Sequence, residues 1–357
     1  MKPQLALIGG LLGSGKTTLL RSFAAHLNKQ GRRVALITND QTGGLVDTIF
    51  LEKAGLSVEE VVGACFCCDF DGLTQAILNS LAHCPDVILA EPVGSCTDLQ
   101  ATVVAPLKDL LADSVSILPL TVLVDPHRIN EMNALLPDDA AGEAVKYLFT
   151  KQLEEADLIA LTKIDTLDDA LREDAIRQLT VQAPVVALSA VTEEGIVQWW
   201  DALQRLRPGD ARLKEIDYAV YAEAEAAMGW LNMKLSVSPE TAPDLALAGF
   251  LKGVVNDIET RRGHTGNFKC VLVGDNGYLR GGLLRSTESP SIEGRLSLRS
   301  GNEKAEFTVN LRATLAATEL KETVLRHLTD WNAEVLSVDA LHPAPPRPTH
   351  RYAPHGS

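Results

Sequence analysis

The chain has 357 residues, more than one core comfortably fills, so two domains are expected. Its formal charge of −14 leaves little Lys and Arg surplus to hold a phosphate backbone, which argues against a nucleic-acid partner, and no segment offers about 18 uninterrupted apolar residues to cross a membrane. Six cysteines, three of them within four positions, do not form a secreted disulfide framework; with no export signal, the chain is expected in the cytoplasm with reduced thiols.

The first two-thirds alternates short apolar runs with longer amphipathic ones. Strands are predicted at Gln4–Ile8, Arg33–Thr38, Glu59–Val62, Asp86–Ala90, Leu120–Val124, Leu158–Leu161 and Val185–Leu188. Helices at Thr17–Gln30, Asp71–Ala82 and Ala170–Gln182 lie between them. Unbroken apolar strands suit a sheet covered on both faces, so residues 1–206 read as an α/β domain with a doubly wound, mostly parallel sheet.

The turn-rich Leu206-Arg207-Pro208-Gly209-Asp210 opens a linker expected over residues 207–228. A smaller α+β domain of split βαβ type is expected over 229–341. Its predicted strands are Trp230–Val237, Phe268–Val273, Tyr278–Leu284, Leu296–Arg299, Ala305–Asn310 and Val335–Leu341, and its helices Pro243–Arg261 and Leu315–Trp331. In the first helix Leu247, Phe250, Leu251, Val254 and Ile258 share one face. Residues 342–357 hold five prolines and three histidines with almost no apolar material, the composition of a disordered tail.

Gly10-Leu11-Leu12-Gly13-Ser14-Gly15-Lys16-Thr17 fits G-x-x-x-x-G-K-[ST] between a strand and a helix, the P-loop signature. Its glycines let backbone N–H groups converge on phosphate oxygens, and the helix N-terminus adds a favourable dipole. Gly10, Gly13, Ser14, Gly15, Lys16, Thr17 and Thr18 are the expected phosphate-binding residues. Lys16 should reach the β- and γ-phosphates and Thr17 should ligate Mg²⁺. Leu158–Leu161 ends in Thr162-Lys163-Ile164-Asp165, where Asp165 can accept two hydrogen bonds from the guanine edge. Adenine lacks those donors, so GTP is the expected nucleotide. The stem of Lys163 can pack on the base, and Ser189-Ala190 follows the next strand where a loop can touch the guanine oxygen. Thr162 stands where such motifs carry Asn, which removes a loop-bracing amide.

Val61-Val62-Gly63-Ala64-Cys65-Phe66-Cys67-Cys68 places three thiols just after a strand. Cys65, Cys67 and Cys68 could share Zn²⁺ or another soft or borderline divalent ion, with buried inert cysteines or a redox pair as alternatives. The lone histidines His26, His83 and His127 read as ordinary surface or core residues, and His342, His350 and His355 as tail residues that bind metal loosely at most.

The P-loop, C-x-C-C, Glu91-Pro92-Val93-Gly94 and T-K-x-D occur in one order, and together they resemble the CobW-type GTPases, relatives of the HypB and UreG nickel-insertion GTPases. The resemblance covers nearly the whole chain, the second half in pattern only, and implies a GTP-gated metallochaperone of the SIMIBI class. It implies that Glu91 holds Mg²⁺ through water, that Thr38-Asn39-Asp40 is a switch region and that Asp47 is a downstream switch aspartate. Asp47, ahead of Asp40, would orient the attacking water while Lys16 neutralises phosphate charge. Asp40 and Cys96 are the candidates for a fourth metal ligand; Cys96 departs from the family pattern, and a helix-start residue is its alternative reading. Several positions depart from the family: Gly63-Ala64-Cys65 for Gly-Gly-Cys, Asn39-Asp40-Gln41-Thr42 for N-E-F-G, Leu11 for the second lysine of MinD-type relatives, and no histidine-rich interdomain stretch.

The leading expectation is a GTPase that delivers zinc, cobalt or another divalent metal to a client metalloprotein, with GTP, GDP, the metal, the client and a second copy of the chain as candidate partners. The alternatives are a G-protein chaperone for a corrinoid enzyme and a metal-sensing module with negligible turnover.

Overall fold

The computed structural model describes residues 2–40, 46–53, 55–134, 140–179, 183–207, 213–298 and 303–353. Gln41, Thr42, Gln182, Pro208, Gly209, Asp210, Arg299 and His355 lie outside the described residues, as does the side chain of Asp40. The chain divides into two compact units: Met1–Gly43, Leu51–Ala224 and Pro345–Ser357 form the first, and Gly44–Phe50 with Glu225–Ala344 the second.

The first unit contains β1 (Gln4–Gly10), β2 (Val34–Asp40), β3 (Ser57–Val62), β4 (Val87–Ala90), β5 (Ser116–Ile117), β6 (Thr121–Val124), β7 (Leu158–Leu161) and β8 (Val185–Ala187). They lie in the order β3-β2-β4-β1-β6-β7-β8, with β5 beside the start of β1, and every pairing is parallel. This is the expected doubly wound α/β sheet. The central strands β4, β6 and β7 are buried along their whole length, because helices cover both faces of such a sheet. Leu19, Leu20, Phe23 and Leu27 of the helix Lys16–Lys29 pack into one core with Ala6, Ile8 and Leu89. Trp199, fully buried in the helix Ile196–Arg205, meets Phe23 edge-on at 5.1 Å and donates Nε1–H to Thr121 Oγ1 at 3.2 Å. Because all the strands run one way, the residues after Gly10, Val62, Ala90, Val124, Leu161 and Ala187 gather on one edge of the sheet.

The second unit contains β9 (Gly229–Val237), β10 (Thr265–Gly274), β11 (Gly277–Gly282), β12 (Ser291–Arg295), β13 (Ala305–Ala313) and β14 (Glu334–Leu341). The order β12-β11-β10-β13-β9-β14 is antiparallel throughout. The helix Pro243–Thr260 connects β9 to β10, with β13 inserted between them, and the helix Ala317–Arg326 connects β13 to β14. This is the expected split βαβ arrangement, widened by the β11–β12 hairpin. Its core centres on Phe250, which meets Phe268, Phe307 and Trp331 at ring distances of 5.7, 5.2 and 5.6 Å.

Three expectations need correction. The strand predicted at Leu296–Arg299 lies earlier, at Ser291–Arg295, where register with β11 runs from Tyr278↔Arg295 to Gly282↔Ser291. That strand is mostly exposed, so cross-strand hydrogen bonds place it and no apolar run marks it. The stretch taken as linker holds the helix Tyr218–Ala226, in which Tyr221 is fully buried with Ala144 and Leu148. The tail is tied to the first unit as far as Ala353: Thr349 N–H donates to Cys67 O at 2.9 Å and Tyr352 N–H to Ala101 O at 2.9 Å.

Phe250→Ala should destabilise the second unit by about 3–5 kcal/mol, the usual cost of emptying an aromatic site in a packed core. Urea unfolding should show a lowered midpoint for that unit, with nucleotide binding by the folded first unit unchanged.

Candidate nucleotide and thiolate site

The sequence of the phosphate loop dictates its shape. Gly10 has φ 128, and a Cβ there would stand 2.4 Å from the carbonyl oxygen of Leu123. Gly15 caps the helix Lys16–Lys29 at φ 94 with open space where a Cβ would be, leaving the helix N-terminus accessible to an anion. The Oγ of Ser14 is buried without a hydrogen-bond partner, and Lys16 Nζ turns back onto Gly10 O at 2.8 Å. An orphan hydroxyl and an ammonium resting on loop carbonyls fit a loop built for phosphate oxygens.

Thr17 Oγ1 lies 3.1 Å from both carboxylate oxygens of Glu91, the first residue after β4. Two hard oxygen donors side by side next to a phosphate loop suit Mg²⁺. Gly94 permits this approach, since a Cβ there would lie 2.8 Å from the backbone nitrogen of Leu12. Thr162 Oγ1 sits 2.9 Å from Ser14 O and 3.1 Å from Val124 O. The bracing expected to disappear with the Asn is therefore supplied by a threonine hydroxyl.

Lys163 adopts a left-handed conformation (φ 55) and donates to Asp125 Oδ2 at 2.7 Å. Burial alone would raise the pKa of Asp125, but Lys163 outweighs it and holds the carboxyl below its usual value. Asp165 follows in a short 3₁₀ turn, Ile164–Thr166. Ser189 is fully buried, and its Oγ accepts from the N–H groups of Val191 and Thr192, fixing the Ser189-Ala190 loop. Sequence reasoning missed Asp125, although a carboxylate directly after a buried strand is the same signal that marks Glu91.

The cysteines sit in a tight turn. Cys68 N–H and Asp69 N–H both donate to Cys65 O at 2.9 Å, and Asp69 then caps the helix Phe70–Ala82 through Gly72 N–H. Sγ of Cys65 and Cys67 are 3.0 Å apart, those of Cys67 and Cys68 3.8 Å, and all three lie within 4.8 Å of one another. Thiolates bound tetrahedrally to Zn²⁺ at about 2.3 Å stand about 3.8 Å apart, so the trio is near the spacing one ion requires. S–H donation from Cys67, then Cys68 and Cys96, pulls the Cys65 thiol well below its ordinary value. Cys65 in turn raises Cys67, and it is the main reason Cys68 is pushed up to about 11. A cation bound there would favour the thiolate form of all three sulfurs. Cys96 is buried and its thiol bears on Cys65 and Cys67, but among the described residues the group with metal-ligand spacing is Cys65, Cys67 and Cys68 without it.

Asn39, expected only as a switch residue, holds this turn. Its Nδ2 donates to Val61 O at 3.1 Å and Ala64 O at 2.8 Å, and its Oδ1 accepts from Phe66 N–H at 2.9 Å. Thr18, beside Thr17, is half-buried in the first turn of its helix. Asp47 differs from expectation. Within the second unit its carboxylate is gripped by Lys269 Nζ at 2.7 Å and Arg280 Nη2 at 3.4 Å instead of standing ready to orient a water.

These features define a P-loop nucleotide-binding domain with a thiolate cluster on the same sheet edge. The CobW/HypB/UreG nucleotide-binding domain matches residues 4–187, and the chain belongs to that family. It is 32% identical over 168 residues to the zinc chaperone YeiR of Escherichia coli, covering 44% of this chain and 46% of that one. It is 29% identical over 198 residues to the zinc chaperone CobW of Pseudomonas aeruginosa, covering 47% and 50%. The chain thus spans about half the length of the curated relatives it matches. Among solved structures, the Zn(II)-bound YjiA GTPase from E. coli shares 15% identity at TM-score 0.37 over 91% of this chain and 99% of that one. HypB from Helicobacter pylori in complex with nickel shares 16% at TM-score 0.39 over 57% and 86%. Both structural likenesses are distant, and nothing about the site rests on them. No helix among the described residues is long and apolar enough to cross a membrane.

One buried acid secures the segment after Glu91. Glu155 accepts from Thr97 Oγ1 at 3.2 Å and Gln100 N–H at 3.1 Å, and burial raises its pKa from 4.5 to about 8. A carboxyl raised in the fold stabilises it fully below the unfolded pKa, and that contribution is lost as pH rises through the folded one. Stability should therefore fall between about pH 5 and 8, by a few kcal/mol at most. Glu155→Gln should flatten this slope in urea midpoints measured across that range; parallel slopes in the two proteins would contradict the assignment.

Proposed function

We propose that the chain is a GTP-hydrolysing metallochaperone that carries zinc or a similar divalent ion on Cys65, Cys67 and Cys68 and passes it to a client metalloprotein in the cytoplasm. The observation that supports it best is Asn39, the next-to-last residue of β2 in the expected switch region, which also fastens the cysteine turn. Membership of a family whose matched relatives are named zinc chaperones supports the cargo.

In this reading the phosphate loop grips the β- and γ-phosphates, and Lys16 leaves the Gly10 carbonyl to neutralise their charge. Thr17 and Glu91 hold Mg²⁺, which when bound stabilises charge developing on the phosphates. Asp165 reads the guanine edge, with Lys163 held against the base by Asp125. Water positioning falls to Asp40, since Asp47 is engaged by two cations; a role for Asp47 in the chemical step would require that pair to open. Cys96 is the preferred fourth ligand, because its thiol already acts on two of the trio. The second unit, including its polar face around Asp47, is assigned to contact with the client or a second copy of the chain.

Direct titration should show GTP binding at least tenfold tighter than ATP, with Asp165→Asn shifting preference towards xanthine nucleotides. Lys16→Ala should abolish phosphate release, while Asp47→Asn should retain more than half of it. Equal affinity for ATP and GTP would refute the base assignment, and loss of turnover in Asp47→Asn would return that residue to the chemical step.

A further inference from the structure

The end of the chain lies along the cysteine turn in a way its composition does not announce. Pro345, Pro346 and Pro348 have no N–H, so between 345 and 349 only Arg347 and Thr349 can donate from the backbone. Both donate to the cysteine turn, Arg347 N–H to Cys68 Sγ at 3.1 Å and Thr349 N–H to Cys67 O at 2.9 Å. Thr349 Oγ1 adds a bond to Cys68 O at 3.0 Å, and the His350 ring meets Phe70 edge-on at 4.9 Å.

Farther along, Arg351 anchors the segment. Its Nε donates to Asp98 Oδ2 at 2.8 Å and its Nη2 to Lys214 O at 2.8 Å. Asp98 also accepts from Tyr218 OH at 2.7 Å, and its side chain is only 3% exposed. Tyr352 closes the contact, with N–H to Ala101 O at 2.9 Å and OH to Asp109 Oδ2 at 2.6 Å. Three features argue for a built contact. The prolines preset an extended backbone, so little chain entropy is lost on docking. The bonds fall first on the cysteine turn, from Arg347 and Thr349, and then on a buried carboxylate, from Arg351. The charges also match: the Arg351 guanidinium pairs with the buried Asp98 carboxylate at 2.8 Å.

We propose that residues 345–353 form an intramolecular strap across the thiolate site, which slows escape of the bound metal and must lift before the metal is transferred. The N–H on Cys68 Sγ stabilises that sulfur as a thiolate and hence as a ligand. Asp98 lies on the segment that begins at Glu91, so the anchor and the Walker-B-like glutamate are seven residues apart on one stretch of chain. The proposal rests on the metal-binding reading of Cys65, Cys67 and Cys68.

Two full-length variants test it. Arg347→Pro removes the one N–H on Cys68 Sγ, and Arg351→Glu sets like charges together at Asp98. Zinc-loaded protein mixed with an excess of a chromogenic chelator should release its ion at least tenfold faster in Arg351→Glu than in wild type, with a smaller increase in Arg347→Pro. In metal-free protein, iodoacetamide should modify Cys68 several-fold faster in Arg351→Glu, which uncovers the sulfur and keeps residue 347 as it is, read by peptide mass mapping. Zinc release at the wild-type rate from Arg351→Glu, still bound at one ion per chain, would overturn the strap. If wild type held no zinc on the three cysteines, the metal reading would fail instead, and unchanged alkylation of Cys68 would then count against the strap independently.

Discussion

One buried side chain joins the two halves of the candidate site. The amide of Asn39 uses both of its N–H groups and accepts one bond, bridging the end of β2 to Val61, Ala64 and Phe66. Such a group is costly to disturb, because each buried partner left unpaired loses about 1–3 kcal/mol. The cysteine turn is thus tied to the end of β2, which Asp40 closes directly after Asn39. A phosphate-dependent shift there has a short covalent and hydrogen-bonded route to the thiolates. A second route runs from Glu91, which touches Thr17, along the same segment to Cys96 and Asp98.

The thiol chemistry suits a site that exchanges its cargo. Contact among the crowded thiols lowers the pKa of Cys65 and raises those of Cys67 and Cys68. Metal uptake then releases protons, and a small change in sulfur spacing alters the balance between proton and metal. Cys65 and Cys67 are buried while Cys68 is half-exposed, which leaves one sulfur through which an acceptor can begin ligand exchange. That sulfur is the one Arg347 covers.

Much of this was legible in the residues. The strands of the first unit announce themselves because they are buried on both faces and therefore apolar throughout, as at Leu158–Leu161. The P-loop, Glu91 and T-K-x-D are legible because their chemistry needs particular residues at the ends of particular strands. Strand β12 was not, since its residues are mostly exposed and only pairing with β11 defines it. The tail misled for a related reason: a segment with almost no apolar residues usually lacks the means to dock, but here three backbone N–H groups, those of Arg347, Thr349 and Tyr352, and the Arg351 side chain supply them. Asp47 carries a residue type that suits water positioning, and nothing near it in sequence reveals that Lys269 and Arg280, more than two hundred positions away, take hold of it.

The central claim is that nucleotide and metal are coupled through the end of β2 and the segment from Glu91. Linkage requires GTP to change metal affinity by the same factor by which metal changes GTP affinity. The most direct measurement is a competition titration of zinc against a chelating indicator, with the protein held in turn by GDP and by a non-hydrolysable GTP analogue. The account predicts affinities that differ at least fivefold between the two states, with the difference lost when Cys65, Cys67 and Cys68 are changed to serine. Equal zinc affinity in both states would leave two independent sites on one chain and contradict the coupling.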